Sequence, residues 1–123
     1  MGRNARGVLR RSALWVALAA TSLIAAGGPA LAQQRACARE AASIKRAEGQ
    51  LPRLDVAPPD DQQIVCITLE TNILFARRMA AHLSHCPRSP LARQGDNWRR
   101  TESDYMGKFS ERRCKTTIRS FRG

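Results

Sequence analysis

Four cysteines, Cys37, Cys66, Cys86 and Cys114, fall in the last three-quarters of a chain of 123 residues. The segment before them reads as an export leader. An even cysteine count in a short exported chain implies two disulfides, and these limit the fold to arrangements that bring the sulfurs together in pairs. Each bridge supplies roughly 2–4 kcal/mol, a large share of the stability of so small a domain.

The leader covers residues 1–32. Arg3, Arg6, Arg10 and Arg11 form a basic start, and "ALWVALAATSLIAA" (13–26) is an uncharged apolar core. Gly27, Gly28 and Pro29 interrupt that core, and "ALA" (30–32) places small residues where a signal peptidase reads, so cleavage is expected after Ala32. An uncleaved anchor is the weaker reading, because the Gly-Gly-Pro break and the A-x-A site argue against it. The expectation is a periplasmic or secreted protein with no transmembrane segment after cleavage. Residues 33–123 then make one small domain with a thin core. All four cysteines remain in it, and 17 of the 21 basic residues stand against all 10 acidic ones.

Three helical segments are expected. The first, about 34–48, "QRACAREAASIKRAE", is rich in helix formers and is closed by Gly49. Cys37, Ala41, Ile44 and Glu48 share one face by their i, i+4, i+7, i+11 spacing. "GQLPRLDVAPP" (49–59) carries three prolines and reads as an extended link. Asp60 is the expected N-cap of the second helix, with Gln63 completing a capping-box-like pair. From there Cys66, Leu69, Ile73, Ala76, Ala80 and Leu83 form an apolar stripe, and Pro87 ends the helix at Cys86. The β-branched content of "IVCITL" (64–69) offers a strand as the competing reading. "PRSPLARQGDN" (87–97) is a loop by composition, and a third helix starts near Asp96 or Asn97, or later at Thr101. It carries Trp98, Tyr105, Met106, Phe109, Cys114, Ile118 and Phe121. The fold class is all-α: a small disulfide-linked three-helix bundle, or a helical hairpin with an added N-terminal helix.

The hairpin also ranks the three possible pairings. With a turn near residue 91, Cys66 lies 25 residues before it and Cys114 lies 23 after it, so antiparallel packing sets them level. Pairing Cys86 with Cys114 leaves a gap of roughly 27 Å at about 1.5 Å rise per residue. Cys66–Cys114 is therefore favoured, leaving Cys37–Cys86.

"HLSHCPRSP" (82–90) is the one stretch resembling a metal site. His82 and His85 are three apart on a helix, but a third ligand at Cys86 requires a thiolate, which a disulfide consumes. The favoured reading has both histidines partly exposed near a helix C-terminus, where imidazolium suits the dipole. No hydrolase elbow, zinc-protease helix, phosphate-binding loop, dinucleotide fingerprint or C-x-x-C pair is present, so neither a catalytic residue nor a cofactor is expected. The remaining signal is charge. Arg77-Arg78, Arg99-Arg100 and Arg112-Arg113 are candidates for a positive surface that engages an anionic envelope component or an acidic protein. Specific nucleic-acid recognition is not expected, because most aromatic residues are needed in the core. The expected role is a basic, exported binding or structural module at the bacterial cell envelope. The alternatives are a periplasmic metal-binding protein using His82 and His85, and an enzyme without a local sequence signature.

Overall fold

A computed structural model describes residues 28–117. The expected leader therefore falls mostly outside the described residues, as do Ile118 and Phe121. The described chain is all-helical. Helix α1 spans Gly28–Glu48, α2 spans Gln62–His85 and α3 spans Gly95–Glu111, with single 3-10 turns at Leu54–Val56 and Ala92–Gln94. The described helices run up, down and up around α2, which among them is the one that packs extensively against both others.

Helix α1 starts earlier than expected. Pro29 sits in its first turn, where the missing N–H has no intrahelical acceptor to lose. The helix ends before Gly49, and Ala41 and Ile44 are its buried residues. Beyond them the link is pinned by a polar residue of α2: buried Asn72 donates from Nδ2 to Pro52 O and Thr68 O, both at 2.9 Å.

Helix α2 is capped by Asp61 and not by Asp60, its side chain accepting from Ile64 N–H at 3.1 Å. A cap at Asp61 bonds an N–H of the first turn, as the capping geometry requires. The stretch 64–69 is helical, and Cys86 closes the helix at φ −125°, just before Pro87. Two stripes of α2 are buried. Val65, Leu69 and Ile73 meet Phe109 and, more peripherally, Tyr105 and Met106 of α3. Phe75 and Met79 meet Ala41 and Ile44 of α1 together with Leu91. Ala80, expected on the apolar stripe, is exposed, because the helix turns the neighbouring Met79 inward in its place.

The turn into α3 is tight. A Cβ on Gly95 would stand 2.7 Å from Leu83 Cδ1, so glycine lets the start of α3 approach the end of α2. The ring of Trp98 meets Phe75 edge-on at 4.5 Å between centroids. Helix α3 begins at Gly95 without a side-chain cap, and it stops at Glu111, before Cys114. Its end is a left-handed cap: Arg113 has φ 53°, Arg113 N–H bonds Ser110 O and Cys114 N–H bonds Phe109 O. That is the paired-bond pattern in which glycine usually occupies the left-handed position.

The disulfides are Cys37–Cys86 and Cys66–Cys114, with Cα separations of 5.8 and 5.5 Å, and no cysteine is free. They fasten opposite ends of α2, one to α1 and one to the segment after α3. That segment is also held by buried Glu70, which accepts from Thr117 N–H at 2.9 Å and Thr117 Oγ1–H at 2.7 Å.

A left-handed residue with a Cβ costs about 1–2 kcal/mol that glycine does not. Arg113→Gly is therefore expected to raise the unfolding free energy by roughly 0.5–1 kcal/mol, after the greater freedom of glycine in the unfolded chain is counted. Urea unfolding of the oxidised protein measures it.

Candidate functional site

Among the described residues, three places gather chemistry: the buried His82 and its neighbours, a groove along the link, and the basic end of the bundle.

His82 lies on the α1-facing stripe of α2, and with 1% of its surface exposed it is among the most buried side chains. The expectation of partial exposure is corrected here. Phe75, Met79, His82 and Cys86 follow i, i+4, i+7, i+11 spacing, so the imidazole is carried into the same seam as Met79. Its Nε2 is 2.7 Å from Ser89 Oγ, and the same Oγ accepts from Leu91 N–H at 3.2 Å. Its Nδ1 is 3.1 Å from Glu40 Oε2 of α1, an ion-pair contact when the ring is protonated, but it makes no hydrogen bond. Cys86 completes the cluster: a carboxylate oxygen of Glu40, a ring nitrogen of His82 and Cys86 Sγ all lie within 4.8 Å of one another. His85 is exposed on the outer side of the helix and is not part of this group.

Ser89, His82 and Glu40 stand in the order of a serine–histidine–carboxylate relay. The surroundings are those of a structural chain. Ser89 and His82 are buried, Ser89 Oγ caps a backbone N–H, and neither groove of the described residues is lined by any of the three.

The larger groove, about 590 Å³ and open to solvent, runs between the link and α3. Leu51, Leu54, Trp98 and Tyr105 form its apolar part, with Glu48, Arg53, Asp55 and Lys108 at its rim. Those charges are matched locally. Lys45 pairs with Glu48 at 2.7 Å, Arg53 with Asp55, and Lys108 with Asp104 at 2.8 Å. The hydrogen bond from Arg53 holds the Asp55 carboxyl below its usual pKa, and the bond to Asp104 raises that of the Lys108 ammonium. A second groove of about 300 Å³ lies on the other side of Leu54. Neither presents an unmatched cluster of one sign.

The three arginine pairs are dispersed. Arg77 bridges α2 to Glu102 of α3 at 2.9 Å, and Arg78 donates to Ser43 of α1 at 3.0 Å. Arg112 donates to Pro59 O at 3.0 Å, at the opposite end of the bundle, next to Arg113. Arg99 pairs with Asp96, and Arg100 Nε reaches Asp96 O. Arg99 and Arg100 belong to a different set. The end of the bundle closed by Cys37–Cys86 also carries exposed Arg35 and Arg39 on α1 and Arg88 and Arg93 in the following turn, and none of these four forms an ion pair among the described residues. Glu40 and Asp96 are the carboxylates at that end. Spacing along the chain hides this gathering, since α1 reaches this end through its packing on α2 and the Cys37–Cys86 bridge.

No described helix is long and apolar enough to cross a membrane. No family model, no curated protein and no solved structure matches this chain.

Removing the His82 ring leaves a cavity and takes one of two hydrogen-bond partners from the Ser89 hydroxyl. His82→Ala is expected to cost roughly 2–4 kcal/mol in denaturant unfolding of the oxidised protein, and His85→Ala less than about 0.5 kcal/mol. Equal effects of the two substitutions contradict the buried role of His82.

Proposed function

We propose that this protein is a small exported binding module that engages an anionic partner at the bacterial cell envelope by electrostatic attraction, without catalysis. The observation that supports the reading most is the basic end of the bundle: six arginines from α1, the turn after α2 and the start of α3, against two carboxylates. A cation crowd with few local counter-charges raises the concentration of anions at its surface and speeds their capture. The Cys37–Cys86 bridge keeps α1 against the α2–α3 turn, so the arginines are presented by a rigid frame. Preorganisation of that kind lowers the entropy cost of binding. Two disulfides suit an oxidising compartment outside the cytoplasm. The surface that supports this reading includes Arg99 and Arg100, while Arg77, Arg78, Arg112 and Arg113 serve mainly to join elements or lie at the far end.

Phosphate-bearing lipid headgroups are the partner class that a cluster of single-residue cations on a convex end fits best, since each arginine near an anionic surface contributes about 1 kcal/mol. A metal-binding role through His82 and His85 has less support, because the two side chains do not converge. An enzymatic role has less support too, because the grooves hold charges that are already paired.

The oxidised protein is expected to bind phosphatidylglycerol vesicles at low ionic strength and to release them as salt approaches physiological strength and above. Arg88→Glu with Arg93→Glu should weaken binding by roughly thirtyfold or more, the equivalent of about 2 kcal/mol. Arg112→Glu with Arg113→Glu should change it little. Vesicle co-sedimentation measures all three. Absence of binding, or binding indifferent to salt, overturns the proposal.

A further inference from the structure

We propose that reduction of the Cys37–Cys86 disulfide converts this end of the bundle into a binding site for a tetrahedral divalent metal ion such as zinc, with Cys37, Cys86, His82 and Glu40 as its four ligands. The inference is independent of the electrostatic reading above and concerns the other chemistry held at the same end.

Two observations carry it. The first is the convergence of donor types. A carboxylate oxygen of Glu40, a ring nitrogen of His82 and Cys86 Sγ already lie within 4.8 Å of one another, and Cys37 Sγ is bonded to the last of them. Two thiolates, an imidazole nitrogen and a carboxylate form a ligand set that zinc accepts, with bonds of about 2.0–2.3 Å to each donor. The second is the orphaned nitrogen. His82 Nδ1 is buried without a hydrogen-bond partner and belongs to a side chain with no exposed surface, a costly state that a metal bond would relieve. The other ring nitrogen is already fixed in the manner that ligating histidines need. Nε2 is 2.7 Å from Ser89 Oγ, and in the tautomer that carries its proton on Nε2 that nitrogen donates to the hydroxyl and leaves the Nδ1 lone pair for the ion.

The oxidised protein cannot use the site, because both sulfurs are spent on each other. A dithiol reductant attacks the bridge through the half-buried Cys37 side, since Cys86 is only 5% exposed. Two thiol–disulfide exchanges then yield the Cys37 and Cys86 thiols and the cyclic disulfide of the reductant, a balanced two-electron transfer. Binding of one divalent ion displaces a proton from each thiol. Glu40, with its side chain 47% exposed, lies on the solvent side of the cluster and provides the ion's way in. The metal then replaces the disulfide as the tie between α1 and α2. Among the described residues Cys66–Cys114 has no such companions within reach, so the two bridges differ in what reduction makes of them.

The test uses the exported protein reduced by a phosphine, which adds no competing thiol, titrated anaerobically with cobalt(II) and then zinc. One equivalent of cobalt is expected to give thiolate-to-metal charge-transfer absorption and the visible bands of tetrahedral cobalt, both abolished by zinc and both missing in the oxidised protein. Ser89→Ala should weaken binding by roughly 10–100-fold, as loss of a ligand-orienting partner does. His82→Ala should weaken it further, and Glu40→Gln should change the visible bands. Alkylation mapping of the unmutated reduced protein covers the case in which a variant fails to fold: zinc should protect Cys37 and Cys86, and leave Cys66 and Cys114 reactive. No cobalt band, a band that His82→Ala leaves unchanged, or equal protection of all four cysteines would overturn the proposal.

Discussion

The structure depends on the fastening of α2 at both ends. Cys66, in its second turn, and Cys86, at its C-cap, are bridged to partners 48 and 49 residues away. In the chain-entropy account a closed loop of that length is worth about 4 kcal/mol, before allowance for the overlap of the two loops. That is comparable with the whole net stability of many small domains. The apolar seams alone are slight: a handful of buried side chains on each side of α2, divided between a cluster shared with α1 and another shared with α3. The bridges therefore supplement a thin core, adding to what the two apolar seams supply.

With both ends fixed, α2 can be buried on two sides, and this explains the polar residues in its interior. Thr68, Asn72, His82 and Glu70 are all buried. Asn72 bonds the link at Pro52, Glu70 bonds Thr117, and His82 bonds Ser89, so each joins α2 to a segment that has no regular secondary structure there. Hydrogen bonds of this kind contribute about 1 kcal/mol each, but leaving such a group unpaired costs more, so they select one arrangement of the loops over others. His82 Nδ1 is the exception to this satisfaction, and it faces the bridge at the end of the bundle where the arginines gather.

Much of the fold was legible because its strongest features are periodic or arithmetic. Pro87 marks the end of α2, Gly49 the end of α1, and the balance of residues about the turn sets Cys66 level with Cys114. The errors have local causes. Adjacent aspartates at 60 and 61 are equal as caps in sequence, and only the path of the preceding turn selects Asp61. The end of α3 was obscured because its left-handed cap uses Arg113 in place of glycine. The largest miss was His82. Thr68, Asn72, Phe75, Met79, His82 and Cys86 make a second heptad-spaced stripe, but three of the six are polar, so a search for apolar periodicity finds the first stripe and passes over this one. The basic end was hidden for another reason: its arginines come from three segments, and no adjacency in sequence records a gathering made by the packing and bridging of those segments.

Both the electrostatic surface and the latent ligand set require α1 to be tied to the C-terminal end of α2, and the hairpin requires the segment after α3 to be tied to its N-terminal end. Mass mapping of proteolytic peptides from the non-reduced protein tests this most directly. The peptides containing Cys37 and Cys86 should be recovered as one linked species, and those containing Cys66 and Cys114 as the other. Recovery of free thiols, or of Cys37 joined to Cys66 or Cys114, would contradict the arrangement and everything built on it.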